Sequence, residues 1–120
     1  MSLVVWIGVA GLGGLGALAR FVLDAAISTG LGRELPFGTF VVNVMGSFLL
    51  GLVVGLSLSG DALLLAGTAT LGSYTTFSTW MLESHRLREE GEIGPALGNL
   101  LISLLVGVGA AALGRMIGSL

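Results

Sequence analysis

The sequence predicts an all-α membrane protein: four transmembrane helices in one domain over residues 1–120, with the third helix broken near its middle. Composition is the first observation behind this. Hydrophobic residues make up 54% of the chain, charged residues only 10%, and the mean hydropathy is +1.02, beyond what a water-facing surface permits. The second is the absence of charge from four intervals, 3–19, 35–60, 62–82 and 93–114, each suited to one spanning helix. The third is a cluster of glycine and hydroxyls, Gly72-Ser73-Tyr74-Thr75-Thr76-Phe77-Ser78-Thr79-Trp80, in the middle of the third interval.

A helix needs about 20 apolar residues to cross the hydrocarbon core. Helix 1 is expected at 3–26 if Arg20 is tolerated, helix 2 at 37–59, helix 3 at 62–84 and helix 4 at 94–118, with short loops between. A cleaved signal peptide does not suit the N-terminus, because no basic region precedes Leu3 and Gly11, Gly13, Gly14 and Gly16 are spread through the segment. Those glycines match the dinucleotide-binding pattern, and Glu34 falls near the ribose-binding distance. That pattern has meaning only on a strand-turn-helix of a soluble α/β domain, and nothing later in the chain alternates βαβ. Gly51/Gly55 and Ala110/Gly114/Gly118 have the spacing that lets helix backbones approach closely in lipid. No internal repeat is evident. Four short helices bury little polar surface alone, so a homo-oligomer is expected.

In helix 3 a glycine followed by threonines at bilayer depth can open the backbone and leave carbonyls without helical partners. Protein or a water-filled cavity must then cover them. The segment therefore reads as a site. The absence of cysteine excludes disulfides and thiolate metal sites, and one histidine, His85, leaves no His-rich cluster. Nothing points to an enzyme. Five arginines, no lysine and a net charge of −2 give no basic patch for nucleic acid.

Helical periodicity aligns Thr39, Asn43 and Ser47 on one face of helix 2, Gly72, Thr76, Thr79 and Glu83 on one face of helix 3, and Asn99, Ser103 and Gly107 on one face of helix 4. A single Ser or Thr is ordinarily satisfied by its own i−4 carbonyl. Three aligned stripes are harder to dismiss, and the Asn43 amide needs a partner helix, water or an ion. Between Thr39 and Leu82 the only acid is Asp61, in a loop, and there is no base. A cation or proton pathway would keep a mid-membrane acid, whereas an anion pathway wants donors and the electropositive rims of aromatic rings. Phe77 and Trp80 could offer such rims; the plainer reading of that pair is packing or lipid contact.

Gly16-Ala17-x-x-Arg20, Pro36-Phe37-Gly38-Thr39-Phe40-x-x-Asn43-x-x-Gly46-Ser47-Phe48-x-x-Gly51 and Thr75-Thr76-Phe77-Ser78-Thr79 together resemble the Fluc (CrcB) family of fluoride ion channels over nearly the whole chain. The resemblance implies an antiparallel, dual-topology dimer with two narrow fluoride pores at its interface, passing fluoride passively out of the cytoplasm. It implies pore roles for Asn43 and for Phe77 contributed by the partner chain, with Ser78, Thr79, Glu83 and Ser103 along a polar track that the Thr39 stripe adjoins. A structural Na+, held by backbone carbonyls at the helix 3 breaks of both subunits, maps to Gly72 and Thr75.

The chain departs from the family pattern in three places. Trp80 stands where a phenylalanine is usual, keeping an electropositive edge and adding an N–H donor; Asn99 stands for a tyrosine, and Gly107 replaces a hydroxyl residue. Arg20 is either a vestibule charge that attracts anions or an end-of-helix snorkelling arginine. Glu83 is either at the pore mouth or at the membrane boundary. His85, Arg86, Arg88, Glu89, Glu90 and Glu92 read as a solvated connection.

Arg33, Arg86 and Arg88 lie in loops on one side and Arg115 on the other, a bias small enough for insertion in both orientations. Because Asn43 and Phe77 coexist in one chain, self-pairing supplies both pore elements, favouring a homodimer in the lipid of the cell inner (plasma) membrane. A small four-helix multidrug or cation exporter is the alternative, with Asp24 its only candidate acid in helix 1. A non-conducting scaffold would leave the polar stripes without a task.

Overall fold

The computed structural model describes residues 2–120, and among these the chain is helical with no strand. Helix α1 runs Leu3–Leu31, α2 Phe37–Gly55, α3 Gly60–Leu63, a π-helical stretch Leu64–Leu71, α4 Gly72–Tyr74, α5 Ser78–Glu89 and α6 Ile93–Gly118. Three of these, α1, α2 and α6, are long and apolar enough to cross a membrane. The molecule is 50 Å along its longest axis, enough to cross a bilayer of about 40–45 Å with its headgroups.

Helix α1 starts where the Ser2 hydroxyl accepts from the Val5 N–H at 3.2 Å. It continues to Leu31, five residues past the expected end, because no breaker precedes Gly32. There φ is +84° and the Gly32 N–H closes on the Ser28 carbonyl at 2.8 Å, the usual work of a C-terminal glycine. Helix α2 stops at Gly55, short of the expected residue 59. Ser57 turns the chain with φ of +61°, and Gly60 turns it again at +58°.

Helices α2 and α6 lie backbone to backbone. A methyl added at Gly51 would strike the Ala111 carbonyl and one at Gly55 the Arg115 carbonyl, while one at Gly114 would strike the Phe48 carbonyl. Both partners advance together along the sequence, so the two helices run parallel with glycines from each filling the seam. On the other side α1 lies along the π-helical stretch, Gly16 against the Thr70 carbonyl and Gly13 against the Ser73 hydroxyl.

Val42, Leu71 and Tyr74 form the buried core, with Leu23 and Val53 against it. It is small because most apolar side chains on α1 and α6 point outward, as lipid-facing helices require. At one end the Arg86 guanidinium donates to the Arg33 and Glu34 carbonyls at 3.0 and 3.3 Å, tying the α1–α2 connection to α5.

Candidate functional site

The helical path is interrupted at residues 75–77. Thr75 is extended, with φ −81° and ψ 159°, so the next peptide cannot continue the helix. The loosening begins upstream, where the Gly72 N–H bonds five residues back to Gly67 and the Thr70 hydroxyl does the same to Leu65. Asn43 repairs the opening from α2: its amide N–H donates to the Thr76 carbonyl and its oxygen accepts the Thr76 N–H, both at 2.8 Å. One side chain thus stands in for a stretch of helical backbone. Gly46 lets the opening come this close, since a methyl there would press on the Thr75 side chain and the Tyr74 ring.

Thr76 also starts the next helix. Its hydroxyl accepts from the Thr79 N–H at 3.2 Å, as an N-cap side chain does. Among the described residues no donor reaches the Gly72 or Thr75 carbonyl, and the Phe77 and Ser78 N–H groups find no acceptor. The interruption therefore offers bare carbonyls on one side and bare amides at the N-terminus of α5 on the other.

Two cavities flank it. A groove of about 550 Å³, only partly enclosed, is lined by Asn43, Gly72, Thr75, Thr76, Phe77, Trp80 and Ser103 together with Ser47, Gly107 and apolar residues, none of them charged. A pocket of about 280 Å³ is lined by Arg20, Asp24, Thr39, Ser78 and Thr79, with Phe21, Val42 and Thr76. Thr76 is the residue common to both. Glu83 is joined to the pocket through the Thr39 hydroxyl, which donates to its carboxylate. Arg20 makes no ion pair among the described residues.

The sequence-predicted residues are therefore divided. Asn43, Phe77, Trp80, Ser103, Gly72 and Thr75 meet at the groove, whereas Arg20, Thr39, Ser78 and Thr79 meet at the pocket. Phe77 is 69% exposed, its ring edge-on to Trp80 at 5.8 Å and 88°. The Trp80 N–H, expected as an added donor toward an ion, is instead committed to the Asn99 carbonyl at 3.0 Å. Sequence reasoning placed Thr76 on a polar face without giving it a site role; Asn43, which had to find a main-chain partner somewhere, was the signal. Asp24, named from the sequence only as an exporter's candidate acid, lines the pocket beside Arg20, where Gly38 leaves room for its carboxylate.

Long outward-facing apolar helices around an uncharged, hydroxyl- and amide-lined groove define a helical membrane protein with a polar groove among its apolar helices. The family described as CrcB-like protein, Camphor Resistance (CrcB), matches residues 7–115, and the chain belongs to that family. It is 50% identical over 119 residues to the fluoride-specific ion channel FluC 2 of Mycolicibacterium paratuberculosis, covering 99% of this chain and 98% of that one. It is 47% identical to FluC 2 of Mycobacterium tuberculosis, over 98% and 93% of the two chains. With the fluoride-specific ion channel FluC of Thermus thermophilus it shares 42% identity over 88% of each.

Proposed function

We propose that the chain is a fluoride-selective ion channel, not an enzyme, that lets fluoride leave the cytoplasm passively and so relieves fluoride toxicity. The observation that carries this is the groove at the interruption, where donors are present and charged side chains are absent. Asn43 has a second amide hydrogen beyond the one given to Thr76, and the exposed Phe77 ring brings an electropositive rim to the same place. Relatives named as fluoride-specific channels span nearly the whole chain.

In this reading four helices span the inner membrane, the third being the run from α3 to α5, broken at residues 75–77. One chain does not enclose the groove, and a second copy in the opposite orientation would close it, making an antiparallel homodimer with two pores in lipid. Each pore would take Asn43 from one chain and Phe77 from the other, with Trp80 and Ser103 beside them. Ser78, Thr79, Thr39 and Glu83 would continue the track, and Arg20 would draw anions into the vestibule. The Gly72 and Thr75 carbonyls fit a structural Na+, being hard oxygen donors without hydrogen-bond partners at the groove. When bound, the ion would offset the dipoles of carbonyls that lack hydrogen-bond donors.

The test is efflux from liposomes holding the purified protein, followed with a fluoride electrode after adding a potassium ionophore. Fluoride release without chloride release, lost in Asn43→Asp, is expected. Proton-coupled export of organic cations with no fluoride release would overturn the reading in favour of an exporter.

A further inference from the structure

Asn99 on α6 has a side chain that links α5 to the groove, and the direction of every hydrogen bond around it can be deduced. The Trp80 carbonyl can only accept, so the Ser84 hydroxyl, 2.9 Å away, gives it its single proton. The Ser84 oxygen must then accept from Asn99, which puts the Asn99 amide nitrogen on it at 2.7 Å and fixes which way the amide is turned. Asn99 Oδ1 consequently faces Ser103, whose hydroxyl is the donor at 3.4 Å.

Bond lengths identify the link that yields. The two inner bonds have ordinary lengths and involve the buried Ser84, whereas the outer one exceeds the usual range of about 2.5–3.0 Å for a hydroxyl donor. Ser103 lines the groove, and its one proton is held there loosely by Asn99.

We infer that Asn99 is a positioning residue that sets ion selectivity: it holds the Ser103 proton in competition with an anion in the groove, so only a strong hydrogen-bond acceptor takes that proton over. Fluoride, the strongest acceptor among the halides, takes the proton from the amide oxygen more readily than chloride does. The inference rests on the fluoride-channel reading above and adds a role for a residue that does not itself touch the ion.

The experiment measures initial efflux from liposomes over a range of fluoride and chloride loads, separating half-saturation from maximal rate. Asn99→Leu removes the competing acceptor, so fluoride half-saturation should fall by about three- to tenfold and chloride efflux should rise. Asn99→Asp strengthens the competitor, and half-saturation should rise by about tenfold or more. Ser84→Ala frees the amide to turn and should act in the direction of Asn99→Leu by a smaller factor, serving as well if Asn99→Leu does not yield monodisperse protein. In a Ser103→Ala background the Asn99→Leu effect should vanish.

Shifts of the same sign for Asn99→Leu and Asn99→Asp, or an Asn99→Leu effect that persists without the Ser103 hydroxyl, would overturn the inference while leaving the channel reading intact. Absence of fluoride efflux from the unsubstituted protein would instead overturn that reading, and this inference with it.

Discussion

The α2–α6 seam and the interruption at residues 75–77 both bring main chain close to main chain, yet they do so by opposite means. In the seam, glycines remove side chains so that two helices touch without a break in either. At the interruption the helical ladder is given up, and Asn43 and Thr76 supply bonds that the backbone no longer makes for itself. In a membrane the seam leaves both helical ladders unbroken, whereas the groups that the interruption frees are permitted only where protein or a water-filled cavity covers them. The seam can carry rigidity only, whereas the interruption has groups left over for something else.

The comparison breaks first if the seam tolerates bulk. Gly51→Leu drives a side chain into the Ala111 carbonyl and is expected to abolish monodisperse protein in mild detergent gel filtration, overpacking between two backbones having no route of relief. Next in size is Asn43→Leu, which strands the Thr76 N–H and carbonyl together. A loss of about 2–4 kcal/mol in reversible unfolding is expected, along with loss of fluoride efflux.

Thr76→Val sharpens the contrast by removing the cap on the Thr79 N–H and the bond that the same hydroxyl donates to Thr79 Oγ1. It should cost about 1 kcal/mol and reduce efflux without abolishing it. Trp80→Phe removes the bond to the Asn99 carbonyl, worth about 1 kcal/mol, and is expected to preserve or raise fluoride flux. Smallest is Gly14→Ala, at a helical glycine with nothing within contact distance. It should leave efflux unchanged and raise stability by up to about 1 kcal/mol, in contrast to Gly51.

Much of this was legible before any coordinates. Uncharged intervals gave the helical class and the apolar spans, and the Gly51/Gly55 and Gly114/Gly118 spacings marked where helices would touch. The polar stripes placed Asn43 and Ser103 on faces that do meet at one groove.

What was not legible depends on contacts distant in sequence. Asn43 was seen to need a partner, but periodicity assigns a residue to a face without saying which peptide lies opposite, so Thr76 stayed unnamed. The Trp80 N–H was read as free because nothing in the chain announces that the Asn99 carbonyl lies 3.0 Å from it. Helix ends shifted for a local reason: glycines and Ser57 at positive φ decide where a helix stops, and charge boundaries only approximate that.

Thr76 lines both the groove and the pocket, and what Asn43 grips there is its main-chain N–H and C=O, not its side chain. The shared wall is thus main chain, which side-chain substitutions other than proline leave as it is. Substitutions on either side can alter what enters and what leaves, but exchanging Thr76 for any residue except proline leaves the same N–H and C=O in place. Only an atomic replacement, such as an ester in place of the amide preceding position 76, would remove the N–H while keeping every side chain. That makes this peptide the fixed point about which the two chambers can diverge independently among sequences that keep Asn43.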